Sequence, residues 1–173
     1  MNSTSVTVRR AFRGDCPGIL AIYNDAVLTT TASYDYAPRT LAQREEWFEA
    51  HERDQMAVLV AESSSGEIVG WSALSKFHDR VGYRFTSENS VYVAAPWRGK
   101  GVGRRLLATL LDAARARGLH AIIACIDAEN GASIRLHTRL GFERVGLFKR
   151  VGFKFDRWLD VAYLELLIEP PPC

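Results

Sequence analysis

SVYVAAPWRGKGVGRRLLATLL, Ser90 to Leu111, sets the architecture of the chain. It begins as a strand, with Val91 and Val93 on one face and Tyr92 on the other. Pro96 lacks the N–H that a sheet ladder needs, so the strand ends before it. A turn follows, Arg98-Gly99-Lys100-Gly101-Val102-Gly103. Val102, Leu106, Leu107, Leu110, Leu111 and Ala114 then recur at the spacing of one helical face. Strand, glycine turn and amphipathic helix in succession predict a helix packed on a sheet.

A glycine-rich turn that opens a helix is a candidate anion site. The first N–H groups of a helix have no internal partners, and the macrodipole places partial positive charge there. Glycines allow close approach of a phosphate, and Arg98, Lys100, Arg104 and Arg105 add positive charge. Two phosphate loops are excluded by spacing. A Walker loop requires Ser or Thr after the lysine, whereas Gly101 follows Lys100; the dinucleotide fingerprint requires G-x-G-x-x-G, whereas Gly99, Gly101 and Gly103 read G-x-G-x-G. A strand-to-helix loop with a solvated basic rim is the competing reading.

Outward from this centre the elements alternate. Residues 6–11 form a short strand, and Asp15 is placed to cap a first helix that carries Pro17 in its first turn and Ile19, Ile22, Tyr23, Ala26 and Val27 on one face. Residues 29–38 are too polar and β-branched to extend it. Thr40 and Gln43 make a capping box for a second helix bearing Leu41, Trp47 and Phe48. Residues 56–62 and 67–75 pair across SSSG as a hairpin. Residues 76–84 link irregularly to the fourth strand, 86–93. Gly118 ends the long helix. Residues 120–126 read as a strand buried on both faces, with Cys125 in the core. Asn130 caps a helix ending at Gly141, residues 142–148 and 160–168 supply two last strands, and the tail EPPPC is expected to fray. The order β-α-α-β-β-β-α-β-α-β-β is that of a mixed α/β (α+β) sheet with helices on its faces, in one domain over residues 1–173.

Composition excludes several classes. Hydrophobic residues at 47% and charged residues at 24% of 173 are globular values. A net charge of +2 is too small to call for a polyanion, so no nucleic-acid partner is expected. Cys16, Cys125 and Cys173 are widely spaced and form no C-x-x-C pair; neither a disulfide framework nor a metal site is expected. No apolar run approaches the roughly 20 residues that span a bilayer. The N-terminal MNSTSVTVRR lacks the apolar core of a signal peptide. A soluble, cytoplasmic protein without a membrane partner is the expectation.

Arg98-x-x-Gly101-x-Gly103 after Val91-Tyr92-Val93 resembles the acyl-CoA loop of the GNAT N-acetyltransferase superfamily, whose signature is Q/R-x-x-G-x-G/A. The element order is also that of a GNAT fold, which implies six to seven mostly antiparallel strands with the fourth and fifth splayed. IYNDAV (22–27), TSENSVYV (86–93), DAENGASIRLHTRLGF (127–142) and VGFKFDRWLDV (151–161) are similar, in order and spacing, to the phosphinothricin and methionine sulfoximine acetyltransferase group. The resemblance implies acetyl-CoA as co-substrate, held by Val91, Tyr92, Val93, Arg98, Gly99, Lys100, Gly101, Val102, Gly103, Arg104, Asn130 and Ser133.

It also implies roles at the reacting centre. Glu88 would take the proton of an amine, directly or through water; an α-amine, with a reference pKa near ~7.7–8.0, is largely protonated at neutral pH. The competing reading is a solvated glutamate at a strand end. The Val93 amide would stabilise the oxyanion of direct thioester attack. His137 stands where many members carry a tyrosine that protonates the thiolate; the alternative is a half-exposed helical histidine. Asn130 is open to reading as a helix cap alone. Arg80, Tyr83, His78 and Tyr34 would bind the acceptor, Arg80 through its carboxylate and Tyr34 as an apolar wall. Phe153, Lys154, Arg157 and Trp158 form an aromatic, basic loop that closes the site or packs on a second subunit. The expected activity is N-acetylation of phosphinothricin, methionine sulfoximine or a related small amino acid, by a homodimer. Acetylation of protein N-termini or lysines, and non-catalytic acyl-CoA binding, are the alternatives.

Overall fold

β2 (Val58–Ser63) and β3 (Ile68–Lys76) are buried along most of their length because helices cover the sheet on both sides. The computed structural model of the chain describes residues 5–168. The expected fraying of the tail EPPPC and the position of Cys173 lie outside them. Among the described residues the strands form one seven-stranded sheet in the order β1-β2-β3-β4-β5-β7-β6. β1 is Val6–Arg10, β4 Thr86–Val93, β5 Ala121–Asp127, β6 Glu143–Lys154 and β7 Arg157–Leu167. Every pairing is antiparallel except β4 with β5.

Strand alternation assigns the residues of β2 to two cores. Val58 and Val60 join Trp71 and Ala73 beneath α1 (Cys16–Thr29) and α2 (Leu41–Arg53). Leu59 and Ala61 face α3 (Val102–Ala116) with Val69 and Leu74. The apolar stripe of α3 is buried residue for residue: Val102, Leu106, Leu107, Leu110, Leu111 and Ala114 are at most 3% exposed. Each large aliphatic side chain so buried contributes on the order of 1.5–3 kcal/mol. The capping box of α2 forms as expected, with Thr40 accepting from the Gln43 amide and Gln43 accepting from the Thr40 amide.

Several expectations require correction. Asp15 precedes α1 without capping it; its carboxylate instead accepts from the Phe12 amide and from the Arg9 guanidinium. Leu41 faces solvent. β6 runs on to Lys154 and β7 starts at Arg157, so the expected aromatic, basic loop is the tip of a long hairpin. Phe155 and Asp156, both at positive φ, make its turn. Cys125 is exposed, for a reason that lies in the sheet. β4 and β5 pair only at Thr86↔Ala121, Ser87↔Ile122 and Glu88↔Ile123. Beyond that point β4 stays with β3 and β5 stays with β7, and the two strands diverge.

Candidate active site

The divergence of β4 and β5 opens a cleft of about 1240 Å³. Its two halves follow from strand alternation. Val91 and Val93 pack towards α3, and Tyr92 packs towards α1 and α2. Glu88 shares the parity of Tyr92, so it belongs to the α1/α2 half. The register gives the backbone its direction as well. Ala94 donates to Val69 O at 3.0 Å, so the neighbouring Val93 is a pair whose N–H and C=O turn away from β3. The Val93 carbonyl accordingly accepts from Arg98 Nε at 3.0 Å. With no β5 partner at that height, the Val93 amide faces the gap.

At the α3 end, Gly99 and Gly101 hold φ of +74° and +81°, and a Cβ on either would meet nothing within 4 Å. Glycine is required there by the backbone conformation, not by crowding. The first intrahelical bond of α3 is Arg105 N–H to Gly101 O at 3.1 Å. The amides of Val102, Gly103 and Arg104 precede it at the free end of the dipole. Arg98, Gly99, Gly101, Gly103 and Arg104 all line the cleft, so cations, open space and free amides coincide as a diphosphate requires. α4 (Gly131–Thr138) forms the facing wall. Asn130 caps it by accepting from the Ser133 amide at 3.1 Å, and both residues line the cleft.

In the α1/α2 half, burial pushes the Glu88 carboxyl above its ordinary range, and only weaker influences from Cys125 and His78 oppose this. Cys125 lines the same half, its thiol pushed up to about 11, first by desolvation and then by Glu88. The wall opposite is the segment between α1 and α2. Tyr92 Oη donates to Ala32 O at 3.0 Å, and Thr31 Oγ1 donates to Asp127. Lys154 Nζ donates to Thr30 O at 2.9 Å and Ser33 O at 2.6 Å, and Tyr36 Oη donates to Phe153 O. Trp71 stacks on Tyr92 with centroids 4.7 Å apart, and Arg44 lies over Trp71, Trp47 and Tyr23.

A family model for acetyltransferases of the GNAT family matches residues 19–142. The chain belongs to the GNAT family. The L-methionine sulfoximine/L-methionine sulfone acetyltransferase of Pseudomonas paraeruginosa is 47% identical over 166 residues, 96% of each chain. Among solved structures, a phosphinothricin acetyltransferase from Sinorhizobium meliloti in complex with acetyl-CoA superposes with a TM-score of 0.92 at 36% identity, covering 94% of this chain and 88% of that one. A ribosomal-protein-alanine N-acetyltransferase from Brucella melitensis superposes with a TM-score of 0.91 at 46% identity, covering 94% and 99%.

Within this GNAT cleft the structure brings together most of the residues singled out by sequence. Glu88, Val91, Tyr92, Val93, Arg98, Gly99, Gly101, Gly103, Arg104, Asn130, Ser133, His137 and Tyr34 all line it. Lys100 stands outside, over Trp97, and the Val102 side chain belongs to the core. Arg80, Tyr83 and His78 do not line it either; His78 and Tyr83 cluster with Phe77 beyond the start of β4. His137 is 3% exposed, not half-exposed, because it lies between Asn89 and the Phe142 ring, to which it is nearly perpendicular. Lys154 and Arg157, expected to close the site or meet a second subunit, do reach the cleft: Lys154 holds the segment 30–33 and Arg157 lines the cleft, paired with Glu129 at 2.6 Å. Sequence reasoning missed Asp127 and misread Cys125. Alternation held a signal for Cys125. It shares a face with Ile123, the partner of Glu88, but lies past the last β4–β5 pair, where nothing covers it.

Proposed function

We propose that this chain transfers the acetyl group of acetyl-CoA to the α-amine of a small amino-acid-like acceptor, of the kind named by its relatives: methionine sulfoximine, methionine sulfone or phosphinothricin. The observation that carries the reading is Glu88 at the point of divergence, its carboxyl raised by burial and facing one half of the cleft. The free amides of α3 stand at the other end of the cleft, and the Val93 amide faces the gap between the two strands. Arg98, Arg104 and the α3 amides would hold the diphosphate of acetyl-CoA, which supplies the activated thioester. Glu88 accepts the proton of the acceptor ammonium, directly or through a water, and releases a nucleophilic amine. The Val93 N–H stabilises the oxyanion formed when that amine attacks, and collapse of the tetrahedral intermediate breaks the C–S bond and releases coenzyme A as its thiolate. Tyr34 supplies an apolar wall to the acceptor. Arg80, Tyr83 and His78 bind it only if residues 77–84 reach the cleft; Arg157, which already lines it, is the nearer cation for a carboxylate.

Glu88→Gln is expected to lower turnover by about 10²- to 10⁴-fold, the range of a lost general base. Calorimetry should show acetyl-CoA binding within about twofold of wild type, since the substitution leaves the α3 end intact. Turnover that survives in Glu88→Gln removes Glu88 from the mechanism.

The Brucella relative's name favours a second acceptor, a protein N-terminus. The segment bound to Lys154, Tyr92 and Asp127 walls the acceptor half, which supports the smaller acceptor. A thiol-release assay over free amino acids and alanine-headed peptides separates the two. The assembly we propose is a homodimer. β6 is an edge strand that exposes Val145, Leu147, Phe148 and Val151, an apolar surface that a second copy would cover. Light scattering at micromolar concentration should give twice the chain mass, and Phe148→Glu half of that; a wild-type monomer overturns the assembly.

A further inference from the structure

We propose that His137 is a positioning residue, which clamps α4 to Asn89 of β4 and fixes the gap between the diverging strands, and that it passes no proton to the departing thiolate. The inference rests on the reading of the cleft as an acetyl-CoA site. It starts from hydrogen-bond directions. His137 Nδ1 lies 2.8 Å from the carbonyl oxygen of Ser133 in its own helix. A carbonyl only accepts, so Nδ1 carries a proton. A neutral imidazole has one such proton, which leaves Nε2 with a lone pair. Asn89 Nδ2 stands 2.9 Å from Nε2 and is the donor that the lone pair requires.

The surroundings keep the ring in that form. His137 is 3% exposed and Asn89 6%. Burial lowers the histidine's affinity for a second proton, with the Ser133 carbonyl opposing more weakly. Phe142 closes the ring from another side, edge-on at 5.0 Å and 84°. A general acid needs a proton on the nitrogen facing the leaving group and a route by which it is replaced. Nδ1 keeps its proton on a helix carbonyl, and Nε2 has none to give.

The clamp sits where the sheet has lost its own fastening. Asn89 is the first residue of β4 after the last β4–β5 pair, Glu88↔Ile123. From there on no backbone ladder joins the two arms, and the Asn89–His137 bond ties β4 to the helix that follows β5. The orientation of the amide leaves Asn89 Oδ1 buried without a partner. The reversed amide would set that oxygen against the Nε2 lone pair, so the bond to His137 decides which way Asn89 faces.

Three variants test the clamp. His137→Phe keeps a ring against Phe142 but cannot accept; Asn89→Leu keeps the volume but cannot donate; His137→Gln keeps an acceptor and has no titrating proton. The clamp predicts that His137→Phe and Asn89→Leu each raise KM for acetyl-CoA by about 3- to 10-fold, the equivalent of one buried hydrogen bond. The double variant should be no worse than either single one. His137→Gln should restore KM to within about twofold and keep the wild-type pH profile of kcat. Loss of kcat by about 10²-fold or more in both histidine variants, with Asn89→Leu unaffected, would establish a proton donor instead and overturn the clamp. Unchanged KM in His137→Phe and Asn89→Leu overturns it too. Should either fail to fold, as read by thermal melting, His137→Gln still decides, because only a proton donor loses kcat there. Calorimetry of wild-type protein with acetyl-CoA separates the two levels: no heat refutes the function itself, whereas heat with unchanged KM in the variants refutes the clamp alone.

Discussion

Lys154→Met isolates what holds the acceptor wall in place. The lysine is 2% exposed, and its ammonium donates to Thr30 O at 2.9 Å and Ser33 O at 2.6 Å, carbonyls that end α1 and continue beyond it. A cation at a helix C-terminus also opposes the negative end of the dipole. Methionine keeps most of the apolar stem and removes both bonds. The Ser33 carbonyl is in the buried half of the pair, so its loss of a partner costs about 1–3 kcal/mol; Thr30, closer to solvent, regains water. Release from burying an ammonium offsets part of the loss, as the lowered lysine pKa shows. The balance is a destabilisation of about 2 kcal/mol, which lowers Tm by roughly 4–8 °C for a chain of this size. With residues 30–34 loosened, KM for the amine should rise by about tenfold, and KM for acetyl-CoA should stay within about twofold. Melting curves and steady-state kinetics in both substrates read the two effects. A variant that melts within a degree of wild type and keeps its amine KM would refute the reasoning.

Glu88→Gln should also change stability with a definite sign. The carboxyl is raised in the fold, so its stabilising contribution is complete below the unfolded value near ~4.3 and is lost as pH rises through the folded one. Glutamine stays neutral, so Glu88→Gln should be more stable than wild type at pH 7, with the gap closing near pH ~4. A constant gap across that window, in denaturant titrations, contradicts the burial of Glu88. Gly101→Ala places an L residue at φ +81° without a clash, so its cost is backbone strain of about 1–2 kcal/mol. Weaker acetyl-CoA binding in calorimetry should accompany it, and unchanged affinity would show that the loop amides do not hold the coenzyme.

Much of the site was legible because it is local in sequence. Gly99, Gly101 and the start of α3 lie within one turn of each other, and the Asn130 cap spans three residues, so short-range rules reach them. The contacts of Lys154 were illegible for the opposite reason. Its partners, Thr30 and Ser33, are more than a hundred residues away, so the run could be read as covered but not by what. The hairpin tip was read as a loop because its two-residue turn puts Phe155, a residue type that rarely adopts positive φ, beside Asp156. Cys125 was read as core since its run is apolar; only the divergence of β4 from β5 uncovers it.

The sequence by itself determined the order of elements, the apolar stripe of α3, the caps of α2 and α4, and the glycine turn, since each depends on spacing within a few residues. Tertiary structure alone decided where β4 and β5 part, that Glu88 is partly buried beside the cleft, that His137 meets Asn89, and that residues 30–34 are tied to the hairpin. Those depend on register and burial, which arise only when segments distant in the chain are packed against one another.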